Sequence, residues 1–246
     1  MLIDASELYY RDLNRQIREA VAAGEKSFEL TNINGQRYIG DGIKGDDIHI
    51  AIHGVPGNDL AAFMDGPTVR VHGNAQDAVA NTMNAGRVVV EGNAGDVLGY
   101  GMRGGELFVR GAVGYRVGIH MKAYRGQRPV IVAGGTAGDF LGEYMAGGML
   151  ILLGLDRNIG DPLIGDWCGT GMHGGVIYLR GEVEPSRVAS NFAALQPADD
   201  KDLQDMRPHV EAFCAAFSLD PAEVLDGTFL RVAPISLRPY GAKYAT

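Results

Sequence analysis

The chain has 246 residues, 46% hydrophobic and 21% charged, enough for a sizeable core; wholesale disorder and a minimal disulfide-stapled scaffold are excluded. Thirty acids against 22 bases give a formal charge of −8, the wrong sign for gripping a phosphate backbone, and the longest apolar runs are too short to span a bilayer. Only Cys168 and Cys214 are present, in no C-x-x-C pair, and Met1 to Tyr10 has no basic segment leading into an apolar run, so a reduced cytoplasmic setting is expected.

Residues 1–47 read as a helix followed by a β-hairpin. Asp4 and Ser6 are plausible helix caps, Leu13, Ile17 and Val21 share one face through about Ala23, and Gly24 is the stop. Phe28 to Ile33, the pair Asn34-Gly35, and Gln36 to Ile39 read as two strands joined by a two-residue turn.

Residues 48–181 are repetitive. Of the 36 glycines, 29 fall between Gly54 and Gly181, which marks a backbone demand of that region. Seven apolar hexapeptides end in glycine (HIAIHG, TVRVHG, RVVVEG, ELFVRG, PVIVAG, MLILLG, VIYLRG), with terminal glycines 19, 19, 19, 23, 20 and 27 residues apart. Met64, Met83, Met102, Met121, Met145 and Met172 keep the same beat. A period near 19 is too short for a helical-hairpin repeat, and the segments are β-branched, so each repeat predicts one coil of a parallel β-solenoid of about seven coils.

Aligned on the glycines, the positions two and four before them are aliphatic throughout and predict the interior. The position three before reads Ala51, Arg70, Val89, Phe108, Ile131, Ile151, Tyr178 and points outward. From the third coil on this stripe is apolar, so it must pack against the chain's own ends or another polypeptide. Val89, Phe108, Ile131, Ile151 and Tyr178 are therefore candidate partner-interface residues. Trp167, in the longest interruption of the repeat (Leu155 to Thr170), joins them as a typical interface anchor. The position just before the glycine would make Glu91 and Arg110 neighbours and stack His53 on His72.

Residues 182–246 leave the repeat. Pro185, Pro197 and Pro208 punctuate a tail with helices near Leu203–Phe217 and Pro221–Leu225 and an apolar stretch from Thr228 to Leu237, a capping or partner-binding extension.

The residues offer few routes to chemistry. A methionine column could hold Cu(I), but a flexible apolar filler of a stacked core is the better reading. Asp77, Asp96 and Asp139 recur near one coil position; calcium-binding solenoids need denser acids, so turn capping is expected. The histidines lack zinc-site spacing, and Cys168, five residues before His173, reads as a small buried hydrophobe rather than a nucleophile. No catalytic, cofactor-binding or metal-binding residue is assigned.

The segments EGNAGDVLGYGMRGG (Glu91 to Gly105), GEYMAGG (Gly142 to Gly148), LILLGLDRNIG from Leu150 and GTGMHGGVIYL from Gly169 resemble the C-terminal β-helix (GXGXG) domain of the glutamate synthase large subunit. The segment Asn34 to Gly40 resembles the approach to that domain, and the resemblance covers roughly residues 30–182. The repeat is also similar to the glycine-rich-repeat subunit of formylmethanofuran dehydrogenase and its bacterial formyltransferase/hydrolase relative. The first resemblance implies a right-handed β-helix serving as a freestanding structural subunit of a glutamate synthase-like or N-methylglutamate synthase-like complex. Its partners would be a glutaminase-type subunit and a synthase-type subunit that carry the catalytic residues, FMN and iron–sulfur clusters. No cofactor is implied for this chain itself.

Overall fold

All seven glycine-punctuated hexapeptides form parallel strands. In the computed structural model, which describes residues 1–158 and 160–236, β1 (Leu2–Asp4), α1 (Tyr10–Ala22) and β2 (Ser27–Asn34) lead into the repeat. It consists of β3 (His49–Val55), β4 (Asp65–His72), β5 (Ala85–Val90), β6 (Glu106–Val109), β7 (Val130–Ala133), β8 (Ala146–Leu152) and β9 (Gly174–Arg180). The tail adds β10 (Ala193–Pro197), α2 (Asp200–Phe217), α3 (Pro221–Leu225) and β11 (Phe229–Pro234). One sheet runs in chain order from β1 to β9 and ends with β11 and then β10, which are antiparallel to their neighbours. Leu237, the predicted end of the last stretch, lies outside the described residues.

The predicted N-terminal hairpin does not form. β2 instead pairs in parallel with β1 and β3, placing Phe28 beside Ile50 and Leu30 beside Ile52. Stacking as a further rung buries Phe28 and Leu30 inside the solenoid, which a hairpin folding back on Gln36–Ile39 could not do. The solenoid thus begins before residue 48. Tyr9 precedes helix α1 and gives it no side-chain cap; Asp4 Oδ1 instead accepts from the Ser6 N–H and the Asn32 carboxamide, each at 2.9 Å. Its C-terminus is a Schellman motif: Gly24, at φ +97°, donates to Val21 O and Glu25 donates to Ala20 O, both at 3.0 Å.

Inside the coils the aliphatic columns pack with six buried methionines, Met64, Met83, Met102, Met121, Met145 and Met172. The methionines are core filler, as their spacing predicted. The aspartates cap, but they cap the next coil. Asp77 Oδ1 accepts from the Asp96 N–H at 2.9 Å, Asp96 Oδ1 from the Tyr115 N–H at 2.8 Å, and Asp139 Oδ1 from the Asp166 N–H at 2.8 Å. Asn74 and Asn93 repeat the device at 2.8 Å toward Asn93 and Ala112.

One strand departs from the glycine-based alignment. Strand β7 pairs Ile131 with Leu107 and Leu150, and Val132 with Phe108 and Ile151. Gly134-Gly135 supplies two glycines where other coils have one, and the register follows the second. Ile131 therefore points into the core, and Val132 takes its place in the outward stripe. Glu91 stands beside Arg110 in register, next to the Val90–Val109 pair, but forms no ion pair with it. It pairs with Arg70 at 2.8 Å and His72 at 3.1 Å, while Arg110 pairs with Asp156 at 2.6 Å. The imidazoles of His53 and His72 do stack, with centroids 4.6 Å apart.

The tail covers the apolar stripe. Val89, Phe108, Val132, Ile151 and Tyr178, with Val130, Met149 and Val176, pack under Met206, Val210, Phe213 and Cys214 of α2 and Val224 of α3. Phe213 meets Phe108 edge-on at 5.9 Å, and Tyr178 Oη donates to Asp202 Oδ1 at 2.9 Å. Asp199 opens α2 with a reciprocal capping box to Asp202. Pro208 sits within α2 rather than ending it, because the buried face of the helix outweighs the one backbone bond that proline removes. Strands β11 and β10 meanwhile close the solenoid's open end against β9.

Candidate partner-binding surface

The stripe expected to meet a neighbouring polypeptide does not face solvent: Val89, Phe108, Ile151 and Tyr178 are at most 3% exposed beneath α2, and Ile131 is in the core. Trp167 differs from them. It is 59% exposed and belongs to a second, regular edge of the solenoid.

That edge is built from three left-handed residues per coil at alternate positions. The triplets are Tyr38-Gly40-Gly42, Asp59-Ala61-Phe63, Ala78-Ala80-Thr82, Val97-Gly99-Gly101, Arg116-Gly118-His120, Phe140-Gly142-Tyr144 and Trp167-Gly169-Gly171, all at positive φ. The alternation aims successive N–H groups at opposite neighbours. Val97 and Gly101 donate forward, to Tyr115 O and Ile119 O, while Gly99 donates back to Val79 O at 2.8 Å. The five inner triplets, from Asp59 to Tyr144, are thereby bonded on both sides without an extended strand. A left-handed non-glycine residue costs about 1–2 kcal/mol, so these bonds and the packing below must outweigh the strain.

The middle residue of each triplet points inward, where only Gly or Ala fits. A Cβ on Gly99 would run into Ile131 Cδ1, and one on Gly142 into Ile177 Cδ1. Several flanking residues are large instead: Tyr38, Phe63, Arg116, His120, Phe140, Tyr144 and Trp167. Of the twelve exposed large hydrophobic side chains among the described residues, six belong to this edge or the residues between its triplets: Tyr38, Phe63, Tyr100, Tyr115, Tyr144 and Trp167. His120 stacks on Tyr144 with centroids 5.4 Å apart and planes 9° apart, and Tyr100 meets His120 edge-on at 5.7 Å. Arg116 lies over Phe140 at 4.9 Å and binds Glu143 at 2.9 Å. Such a surface of flat apolar faces with polar tips is suited to protein–protein contact.

The sequence carries a signal for this edge that strand-based alignment misses. Its outward residues stand one and five positions before each core methionine, so alignment on the methionines brings Phe63, His120 and Tyr144 into one column and Arg116, Phe140 and Trp167 into another.

The remaining chemical groups sit in structural roles. Cys168 is buried, and burial pushes its thiol up to about 12, the opposite of what a thiolate nucleophile requires. His173 Nδ1 lies 3.1 Å from Gly171 O, not beside the thiol's sulfur in any hydrogen bond. Among the described residues no group of three His, Cys, Asp or Glu converges on a possible metal position.

The family model of the GXGXG motif matches residues 12–234. A protein of Methanocaldococcus jannaschii described as uncharacterized protein MJ1350 is 47% identical over 252 residues, covering 99% of this chain and 96% of that one. Among solved structures, a chain of the formyltransferase/hydrolase complex FhcABCD from Methylorubrum extorquens, determined with methylofuran, superposes with a TM-score of 0.65. The match has 22% identity over 87% of this chain and 76% of that one, so it shows likeness of fold.

Proposed function

Because the chain belongs to the GXGXG-motif family, we propose that it is a noncatalytic structural subunit of a multi-subunit enzyme assembly, in which its aromatic edge seats a catalytic neighbour. The edge carries this reading: the solenoid interior is filled by the chain's own side chains, α2 covers one flank, and six large aromatic side chains remain in the solvent along the other. Aromatic anchors of this kind dominate the energetics of protein interfaces. Within that role we favour a glutamate synthase-like or N-methylglutamate synthase-like assembly. The solenoid would then organise a glutaminase-type and a synthase-type subunit, with FMN and iron–sulfur clusters in the synthase. The resemblance of Glu91 to Gly105 and the following glycine-rich segments to the glutamate synthase β-helix supports it.

A second reading, the equivalent subunit of a formyl-transferring complex, is favoured by the likeness of fold to a chain of FhcABCD. Purification of the tagged full-length chain from its native cells separates the two. Co-purifying flavin and iron–sulfur protein supports the first, and a metal-dependent amidohydrolase supports the second. A monomer with no enzyme attached overturns both.

A further inference from the structure

The fifth coil is longer than the 19-residue beat: Phe108 pairs with Val132, 24 residues on, and the extra five residues form a projecting turn. Tyr124 and Gln127 exchange backbone hydrogen bonds at 3.1 and 3.0 Å, with Arg125 at φ +50° and Gly126 at φ +77° between them. Two left-handed central residues in a two-residue loop define a tight primed turn, a preorganised element. Its base is held by Arg128, which donates to both carboxylate oxygens of Asp205 on α2 at 2.8 Å.

The turn gathers positive charge. Arg103, Lys122 and Arg125 lie 5.7, 5.8 and 5.1 Å from the centroid of the Tyr124 ring. Other arginines of the solenoid pair with acids: Arg87 with Glu106, Arg110 with Asp156, Arg116 with Glu143 and Arg128 with Asp205. The three cations around Tyr124 have no carboxylate within 4.0 Å among the described residues. Like charges held together repel, and one half-exposed ring offsets only about 0.5–1 kcal/mol for each. In a chain of net charge −8, the arrangement is left complementary to an anion from outside.

We propose that the Tyr124 turn, with Arg103, Lys122 and Arg125, docks an acidic segment of a partner subunit. The inference rests on the structural-subunit reading and specifies one contact within it. A protein segment fits better than a small anion because the cations crown a projecting turn rather than line an enclosing cavity, so one extended chain can touch all three. The cluster is also continuous with the aromatic edge. Arg103 follows Tyr100, and Lys122 follows His120, on the same two coils.

Two measurements test it. In the first, the full-length chain is titrated with a labelled (Asp-Glu)4 peptide at low ionic strength. Binding should weaken with added salt and fall at least tenfold in an Arg103→Ala/Lys122→Ala/Arg125→Ala variant whose melting curve matches the parent, while an (Asn-Gln)4 peptide should not bind. Equal binding by parent and variant overturns the proposal. In the second, the assembled complex is treated with carbodiimide. A zero-length link from Lys122 to an Asp or Glu of a partner subunit is expected. An intact complex whose Lys122 stays unlinked and open to amine reagents overturns the docking site but leaves the structural-subunit reading standing; failure of any complex to form overturns that reading instead, and the peptide titration still decides the site.

Discussion

His209 Nδ1–H of α2 donates to Glu106 Oε1 of β6 at 3.1 Å, tying the covering helix to the solenoid through a carboxylate that Arg87 also holds. The His209 hydrogen bond, aided by Arg87, keeps the Glu106 carboxyl below its ordinary value although burial pushes it upward. A carboxyl depressed in the folded state stabilises the protein above its unfolded value, and that contribution disappears as pH falls through the folded value. Glu106→Gln should therefore cost about 1 kcal/mol near neutrality and progressively less in acid. Thermal melts of both proteins at pH 7 and pH 4 check this: the gap in melting temperature should narrow on acidification, and a constant gap would show that the link carries no pH-dependent stability.

The register of β7 makes Ile131 respond differently from what its place before Gly134 suggests, and Phe213 tests the helix that covers the outward stripe. Ile131 lies in the solenoid core, so Ile131→Lys should unfold the protein, placing an unpaired ammonium among Leu107, Leu150 and the methionines. Phe213→Ala removes the ring that α2 lays on Phe108 and should cost about 3–5 kcal/mol while the coils persist. Circular dichroism and limited proteolysis distinguish the outcomes. A folded Ile131→Lys protein would contradict the register.

Two glycines separate backbone strain from lack of space. Gly126 is at φ +77° with nothing near its missing side chain, so Gly126→Ala should cost about 1 kcal/mol. Gly99 is at φ +63° and faces Ile131 Cδ1, so Gly99→Ala carries that strain and must also displace a core side chain, for about 2–4 kcal/mol in all. Urea denaturation of the pair reads the difference directly. Equal costs would mean that the core yields freely around Gly99.

These contrasts show what the sequence made legible. The seven strands, the methionine core and both tail helices were readable because each repeats a hydrophobic period or, like α3 at Pro221, carries a boundary residue, although the start of α2 at Asp200 was placed near Leu203. The register of β7 was not, because Val130-Ile131-Val132-Ala133 is apolar on both faces and offers no alternation to choose between Gly134 and Gly135. The hairpin reading failed because Asn34-Gly35 turns a solenoid corner as readily as a hairpin. The aromatic edge was only partly visible: Trp167 stood out, whereas Ala80, Thr82 and Phe140 carry no residue-type hint of a left-handed backbone.

The side-chain ladder along the coil corners gives a separate check on coil stacking. Asp96→Ala leaves the Tyr115 N–H without its acceptor and should cost about 1 kcal/mol. Hydrogen exchange at Tyr115 should accelerate, with little change at Asp96, whose own N–H is held by Asp77. Uniform acceleration across the chain would argue that the coils do not respond one at a time.

Whether the left-handed edge is the surface on which a catalytic neighbour sits is tested most directly by hydroxyl-radical footprinting of Trp167 and Tyr144, in the isolated chain and in the complex purified from native cells. Both side chains are exposed in the chain alone and should lose most of their reactivity on assembly. Unchanged oxidation of both in an intact complex would contradict the assignment of this edge.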